Sequence, residues 1–179
     1  MSKPKVLVLD LDGCLVDSSL RTEIHTNQET GRVNFQTLHE GIMEYDKVNK
    51  KVHNLVIDFI VTHPAIKKGQ EFYDPIVILT GRNTYATLPT LAWLKNNTVI
   101  QNPVDTNFRA TNDYSPAHIY KMNRLSLIKK NYDIEYYFDD DISCIFEAIK
   151  EGITAIWFPS DIHTDKCKRD VKKYVNENF

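Results

Sequence analysis

Asp10 and Asp12 stand one residue apart at the end of the run Lys5-Val6-Leu7-Val8-Leu9, and Gly13 follows at once. A short apolar run of mostly branched residues reads as a strand buried on both faces. An unpaired carboxylate is costly to desolvate, so two of them at the carboxyl end of such a strand point to a binding site. Ligands of open α/β sheets lie just outside that end, and paired carboxylate oxygens suit a hard cation such as Mg²⁺. Two later segments have the same form. Pro75-Ile76-Val77-Ile78-Leu79 runs into Thr80-Gly81-Arg82, and Glu135-Tyr136-Tyr137-Phe138 runs into Asp139-Asp140-Asp141. At one edge of a parallel sheet, these ends would supply acids for a metal, a hydroxyl and backbone donors for a phosphate, and a positive side chain.

Parallel strands need crossover connections, and the intervening segments have helical patterns. Residues 55–60 begin a helix that stops at His63-Pro64, because the residue before proline is pushed out of the helical region. Residues 84–96 read as a helix with Leu88, Leu91, Ala92 and Leu94 on its apolar side. Val99-Ile100 reads as a short strand. Residues 116–130 carry Ile119, Met122, Leu125 and Ile128 at helical spacing. Ile142 to Lys150 is a helix stopped by Gly152, 154–158 is the last core strand, and the tail from Asp165 is a short amphipathic helix. Residues 17–50 are polar and mixed, with no strong strand. The expected fold is α/β: a doubly wound, Rossmann-like parallel sheet flanked by helices, in a single domain over residues 1–179.

Composition excludes several classes. With 42% hydrophobic and 26% charged residues the chain is globular rather than disordered. A formal net charge of −2 argues against non-specific binding to bulk nucleic acid, though not against a locally basic groove. No apolar run approaches the ~20 residues of a membrane span, and the N-terminus enters a strand without a signal peptide. Cys14, Cys144 and Cys167 match neither a disulfide framework nor a zinc site. Reduced thiols and a cytoplasmic location are expected, the host cytoplasm for a viral protein. No obligate protein partner is evident.

Taken together, the motifs resemble those of the haloacid dehalogenase-like phosphohydrolase superfamily. Val6-Leu7-Val8-Leu9-Asp10-Leu11-Asp12-Gly13-Cys14 matches its nucleophile motif, and Val77-Ile78-Leu79-Thr80-Gly81 its second. Lys121 is the helix lysine, and Asp139-Asp140 the acidic pair. A narrower resemblance is to the phosphatase domain of bacteriophage polynucleotide kinase–phosphatase and its free-standing viral relatives. It rests on the spacing of Arg109, Asp113 and Lys121, on Gly152 twelve residues after Asp140, and on the Thr90-Leu91-Ala92-Trp93-Leu94 helix. No GxxxxGK[ST] loop is present, so the kinase half has no counterpart. Cys14 stands where most relatives have threonine.

The resemblance implies a Mg²⁺-dependent phosphomonoesterase working through an aspartyl-phosphate. Asp10 is then the nucleophile and Asp12 the general acid–base. Thr80 and the Gly81 amide hold phosphate oxygens, and Lys121 pairs with Asp10 and the phosphate. The metal ligands are Asp10, the backbone carbonyl of Asp12 and Asp140, with Asp139 in or beside the shell; Asp141 is either a third acid or a helix cap. Arg82 and Arg109 are candidates for substrate phosphate or backbone, and Asp113 for orienting Arg109. Residues 17–53 occupy the place of a cap and are expected to form a flap and small lid, with Phe35, Leu38, Ile42 and Tyr45 packing down. An open site admits a polynucleotide end, and a terminal 3′-phosphate is the favoured substrate. A 5′-nucleotidase or small-molecule phosphatase is the alternative, and a catalytically silent binding protein on the same scaffold is a second.

Overall fold

A computed structural model describes residues 3–34, 37–64 and 73–159. Phe35, Cys167 and the expected tail helix lie outside them. Five parallel strands form the sheet: β1 (Lys5–Leu9), β4 (Asp74–Asn83), β5 (Pro103–Arg109), β6 (Asp133–Asp139) and β7 (Ala155–Trp157), in the order β5-β4-β1-β6-β7. A second, two-stranded antiparallel ribbon pairs β2 (Val16–Asp17) with β3 (Lys47–Val48). The helices are α1 (Ser19–Ile24), α2 (Ile42–Tyr45), α3 (Lys50–Thr62), α4 (Thr87–Asn97), α5 (Ala117–Asn131) and α6 (Ile142–Lys150). This is the expected α/β architecture.

Strand alternation builds two cores. Leu7 and Leu9 of β1 join Ile76 and Ile78 of β4 on one face, under Val52 and Val56 of α3 and Trp93 and Leu94 of α4. Val6 and Val8 join Val77 and Leu79 on the other, under Leu125 and Ile128 of α5 and Ile145 and Ala148 of α6. Burial on both faces explains why β1 and β4 read as unbroken apolar runs. The chain leaves β1 to lay down β4 and β5 on one side, then returns to lay down β6 and β7 on the other. The carboxyl ends of β1 and β6 therefore flank the point where strand order reverses, where such sheets bind ligands.

Several expected boundaries move. The helix expected from residue 55 begins at Lys50, because Asn49 caps it: its side chain accepts from the Lys51 amide at 3.2 Å. β4 does not stop at Leu79 but continues through Thr80-Gly81-Arg82 to Asn83. The third strand is Pro103–Arg109, not Val99-Ile100; Ile100 is core without pairing. β5 is an edge strand with only Phe108 buried, so it lacks an apolar signature, and its proline sits at the first position, where no ladder bond is lost. On α4 the buried residues are Thr90, Trp93 and Leu94, while Leu88 is 79% exposed. The inward face is chosen by hydrogen bonds that Thr90 and Trp93 make to buried charged residues, which a count of apolar positions misses. On α5, Ile119 is exposed and Tyr120 and Lys121 are buried. In the 17–53 segment Ile42 is buried and Leu38 and Tyr45 half-buried, and β2 and β3 supply a ribbon where no strand was expected. Among the described residues no helix is long and apolar enough to cross a membrane.

Asn49 also donates from its side chain to the Cys14 carbonyl at 2.9 Å, tying the start of α3 to the turn after Asp12. Asn49→Ala is expected to lower stability by about 1–2 kcal/mol, the worth of a cap plus a hydrogen bond, measured as a shift in the urea unfolding midpoint at unchanged slope.

Candidate active site

β1 ends one residue before Asp10, whose amide donates to the Phe138 carbonyl at 3.0 Å and so is locked to β6. Asp139 is the last residue of β6 and Asp140 the next, and one carboxylate oxygen from each of Asp10, Asp139 and Asp140 lies within 4.8 Å of the others. All three are buried. Lys121, projecting from α5, places Nζ 3.0 Å from Asp10 Oδ1 and 2.6 Å from Asp139 Oδ2. The Tyr137 hydroxyl also donates to Asp139 Oδ2, and the Asp141 amide to Asp139 Oδ1 at 2.8 Å. The Trp157 indole donates to the Asp140 carbonyl at 2.9 Å and fixes that turn from β7. Asp141 itself caps α6, accepting from the Ser143 amide at 2.9 Å.

Three carboxylates around one ammonium leave an excess of negative charge. Burial pushes Asp10 above the ordinary carboxylate range; Lys121 pulls it back, and Asp139 and Asp140 push it further up. For Lys121, burial opposes the charged form, but Asp10 and Asp139 outweigh it and hold the ammonium well above its usual value. The cluster fits a hard divalent cation. Its donors are all carboxylate oxygens, and Gly13 keeps the space clear. Gly13 has φ +83°, and a Cβ there would fall 2.1 Å from Asp140 Oδ2. The Cys14 thiol is buried and held protonated, by burial first and then by the charge of Asp10.

The Asp12 carboxylate is not part of this cluster. It meets two guanidiniums. Arg82 donates from Nε to Oδ2 at 2.8 Å and from Nη2 to Oδ1 at 2.7 Å. Arg21 donates from Nη2 to Oδ1 at 2.7 Å. Burial favours the neutral acid, but the charge and hydrogen bonds of Arg82, joined by Arg21, hold Asp12 well below the usual carboxylate range. Arg82 thus lies on Asp12 rather than standing free for a phosphate; its Nη1 donates to Thr90 Oγ1 at 2.9 Å. Arg21, Asp46 and Tyr137 were not singled out as site residues from the sequence, and Thr90 entered only as part of the motif on α4. Tyr137 was legible in principle, because strand alternation puts it on the face of Asp139 two residues on. Arg21 and Asp46 lie in a polar stretch where nothing distinguishes them from surface charges.

Thr80 is fully buried near the carboxyl end of β4, the strand next to β1, and its Oγ1 accepts from the Arg82 amide at 3.2 Å. Gly81 is exposed, with open space where a side chain would stand. Arg109 ends β5 opposite Asn83, stacks 4.7 Å above the Tyr120 ring and donates to the Ser115 carbonyl at 3.2 Å. Asp113 shapes that loop by accepting from the Ser115 amide at 2.9 Å. Arg109 therefore lies on the carboxyl edge but outside the carboxylate cluster.

No family model and no curated protein matches the chain. Solved structures do. Two are chains of the Pnkp1/Rnl/Hen1 RNA repair complex, each 21% identical over 89% of this chain, with TM-scores of 0.59 and 0.61. This chain spans 44% and 47% of their lengths, less than half of either. A haloacid dehalogenase-like family hydrolase from Streptococcus pneumoniae matches at 14% identity and TM-score 0.56, over 89% of this chain and 88% of that one. The fold resembles that of this haloacid dehalogenase-like hydrolase and of the Pnkp1 RNA-repair structures.

Repulsion among the three carboxylates gives a direct test. Mg²⁺ at ten times its Kd is expected to raise the unfolding free energy by about 1.4 kcal/mol, read as an upward shift in Tm. Asp140→Asn should abolish that shift without lowering the metal-free Tm, because it removes one of the mutually repelling charges.

Proposed function

We propose that the protein is a Mg²⁺-dependent phosphomonoesterase that works through an aspartyl-phosphate on Asp10, with a terminal 3′-phosphate of a polynucleotide as its favoured substrate. The observation that carries the reading is the buried Asp10–Lys121–Asp139 constellation beside Asp140, at the point where strand order reverses. Mg²⁺ would be held by Asp10, Asp139, Asp140 and the Asp12 carbonyl, and when bound it supplies the positive charge that lets an anionic nucleophile meet an anionic ester.

Asp10 attacks phosphorus: its carboxylate oxygen forms a bond to phosphorus as the ester P–O bond breaks. The bonding pair leaves on the alcohol oxygen, which takes a proton from Asp12. Water then attacks phosphorus, gives a proton to Asp12 and displaces the Asp10 carboxylate, releasing inorganic phosphate. Two guanidiniums favour the Asp12 carboxylate, the form the second step needs. The approach of a dianionic phosphate favours the proton that the first step needs, by repelling negative charge. Lys121 holds Asp10 in line, and Thr80 Oγ1 and the Gly81 amide are the donors offered to phosphate oxygens. Arg109, at the outer end of the same edge, is the group that would meet the chain beyond the scissile phosphate. The Pnkp1 likeness supports a nucleic-acid end as substrate.

Asp10→Asn keeps shape but loses the attacking charge, so turnover should fall at least ~10³-fold, about 4 kcal/mol of barrier, with the circular dichroism spectrum retained. Turnover near the wild-type rate by the pure variant rejects the nucleophile assignment.

Substrate class is decided by a hydrolysis panel of a 3′-phosphorylated oligonucleotide, a 5′-mononucleotide and p-nitrophenyl phosphate. The oligonucleotide is expected to have the highest kcat/KM, and Arg109→Ala to reduce that value more than the aryl phosphate value. Cleavage of the mononucleotide alone would assign a nucleotidase.

A further inference from the structure

We propose that Asp46 is a positioning residue for Asp12, acting through Arg21 and Arg82, so that residues 17–53 rather than the sheet alone set where the proton-transferring carboxylate points. This deepens the phosphatase reading and rests on it.

The four side chains close a ring. Asp46 Oδ1 accepts from Arg21 Nε at 2.6 Å, and Oδ2 accepts from Arg82 Nη2 at 2.7 Å. Both guanidiniums then reach Asp12 Oδ1 at 2.7 Å. Burial differs sharply between the two acids. The Asp46 side chain is 0% exposed and that of Asp12 35%, so one carboxylate faces the opening while the other braces its partners from inside. The Asp46 main chain is anchored as well, its backbone carbonyl accepting from the buried Trp93 indole at 3.2 Å. Arg21 is anchored too, donating from Nη1 to the Leu38 carbonyl at 2.6 Å. Arg21, Leu38 and Asp46 all belong to the insert between β1 and β4, and only Arg82 comes from a sheet strand.

A guanidinium fork has a fixed geometry. Two forks held by Asp46 define one orientation for the Asp12 carboxylate. Replacing Asp46 by asparagine keeps the shape but removes the charge that both arginines share. They would then collapse onto Asp12, the remaining acid of the ring, and draw it from the ester oxygen.

An aryl phosphate has a leaving group that departs as an anion, so the bond-breaking step needs little help from a general acid. An alkyl phosphate needs the proton. The test is therefore kcat/KM, which reads events up to departure of the leaving group, for p-nitrophenyl phosphate and for the 3′-phosphorylated oligonucleotide, or the mononucleotide if the wild type does not cleave the oligonucleotide. Asp46→Asn is expected to lower the alkyl ester value by roughly 10²-fold, within the range of general acid catalysis, and the aryl value by less than about 3-fold on the same scale. With the aryl ester its kcat should fall after a burst of p-nitrophenol, because the misdirected Asp12 also fails as base in the second step. The retained aryl value shows that the variant is folded. Arg21→Lys keeps the charge but cannot fork onto both acids, and should give the same pattern if Asp46→Asn is poorly expressed. Equal losses with both esters in either variant overturn the proposal and leave Asp46 a purely structural ion-pair partner. A wild type that cleaves no ester overturns the phosphatase reading, and this inference with it.

Discussion

Mutual repulsion among Asp10, Asp139 and Asp140 is the constraint around which the carboxyl edge of the sheet is built. Two unit charges 4 Å apart cost about 4 kcal/mol at an effective dielectric near 20, and here three carboxylates share one buried space. The fold sustains this because every strand contact that brings them together lies deep in the core. Asp10 follows the buried run Val6–Leu9 and is locked by its amide to Phe138, so it cannot retreat without breaking the β1–β6 ladder. Lys121 offsets part of the charge from the α5 side, and Tyr137 and the Asp141 amide take up the oxygens of Asp139. The remaining deficit is what makes the cluster receptive to a cation.

The second carboxylate of the motif is treated in the opposite way. Asp12 is two residues from Asp10, yet it sits among positive charges rather than negative ones. The chain separates the two environments within one turn, helped by the left-handed conformation of Gly13, which lets the backbone pass against Asp140. Placing one acid among acids and its neighbour among arginines gives them different affinities for protons and cations. That difference is the physical basis for assigning them different roles.

Residues 17–53 supply half of the arginine–aspartate ring, and their own packing is modest. The insert holds two short helices and a two-residue ribbon, with Ile42 as a buried anchor. A buried ion-pair ring is a poor source of net stability, since desolvating its members offsets much of their attraction. Its effect is to specify geometry: both guanidiniums share Asp46, whose backbone carbonyl is in turn held by the Trp93 indole of α4. The ring thereby adds a charged contact between insert and sheet to the apolar one that Ile42 makes in the core.

The runs Val6–Leu9 and Ile76–Leu79 and the polar groups that follow them, Asp10 and Asp12 after the first and Thr80-Gly81-Arg82 after the second, were legible in the chain because local pattern and burial coincide there. With the other motifs they determined a parallel α/β sheet with chemistry at its carboxyl edge, and Asp10, Thr80, Lys121, Asp139 and Asp140 as residues of interest. β5 was invisible because an edge strand needs no apolar alternation, and the inward face of α4 was misread because polar Thr90 and the Trp93 indole turn inward to find partners. Arg21 and Asp46 could not be found in the sequence at all. They lie 25 residues apart in a polar stretch, and only the folding of the insert over β4 brings them to Arg82 and Asp12. Sequence alone determined which residues could do chemistry, because residue type and strand ends are local properties. Tertiary structure decided which of those charges meet, because an ion pair depends on distances that no local pattern records.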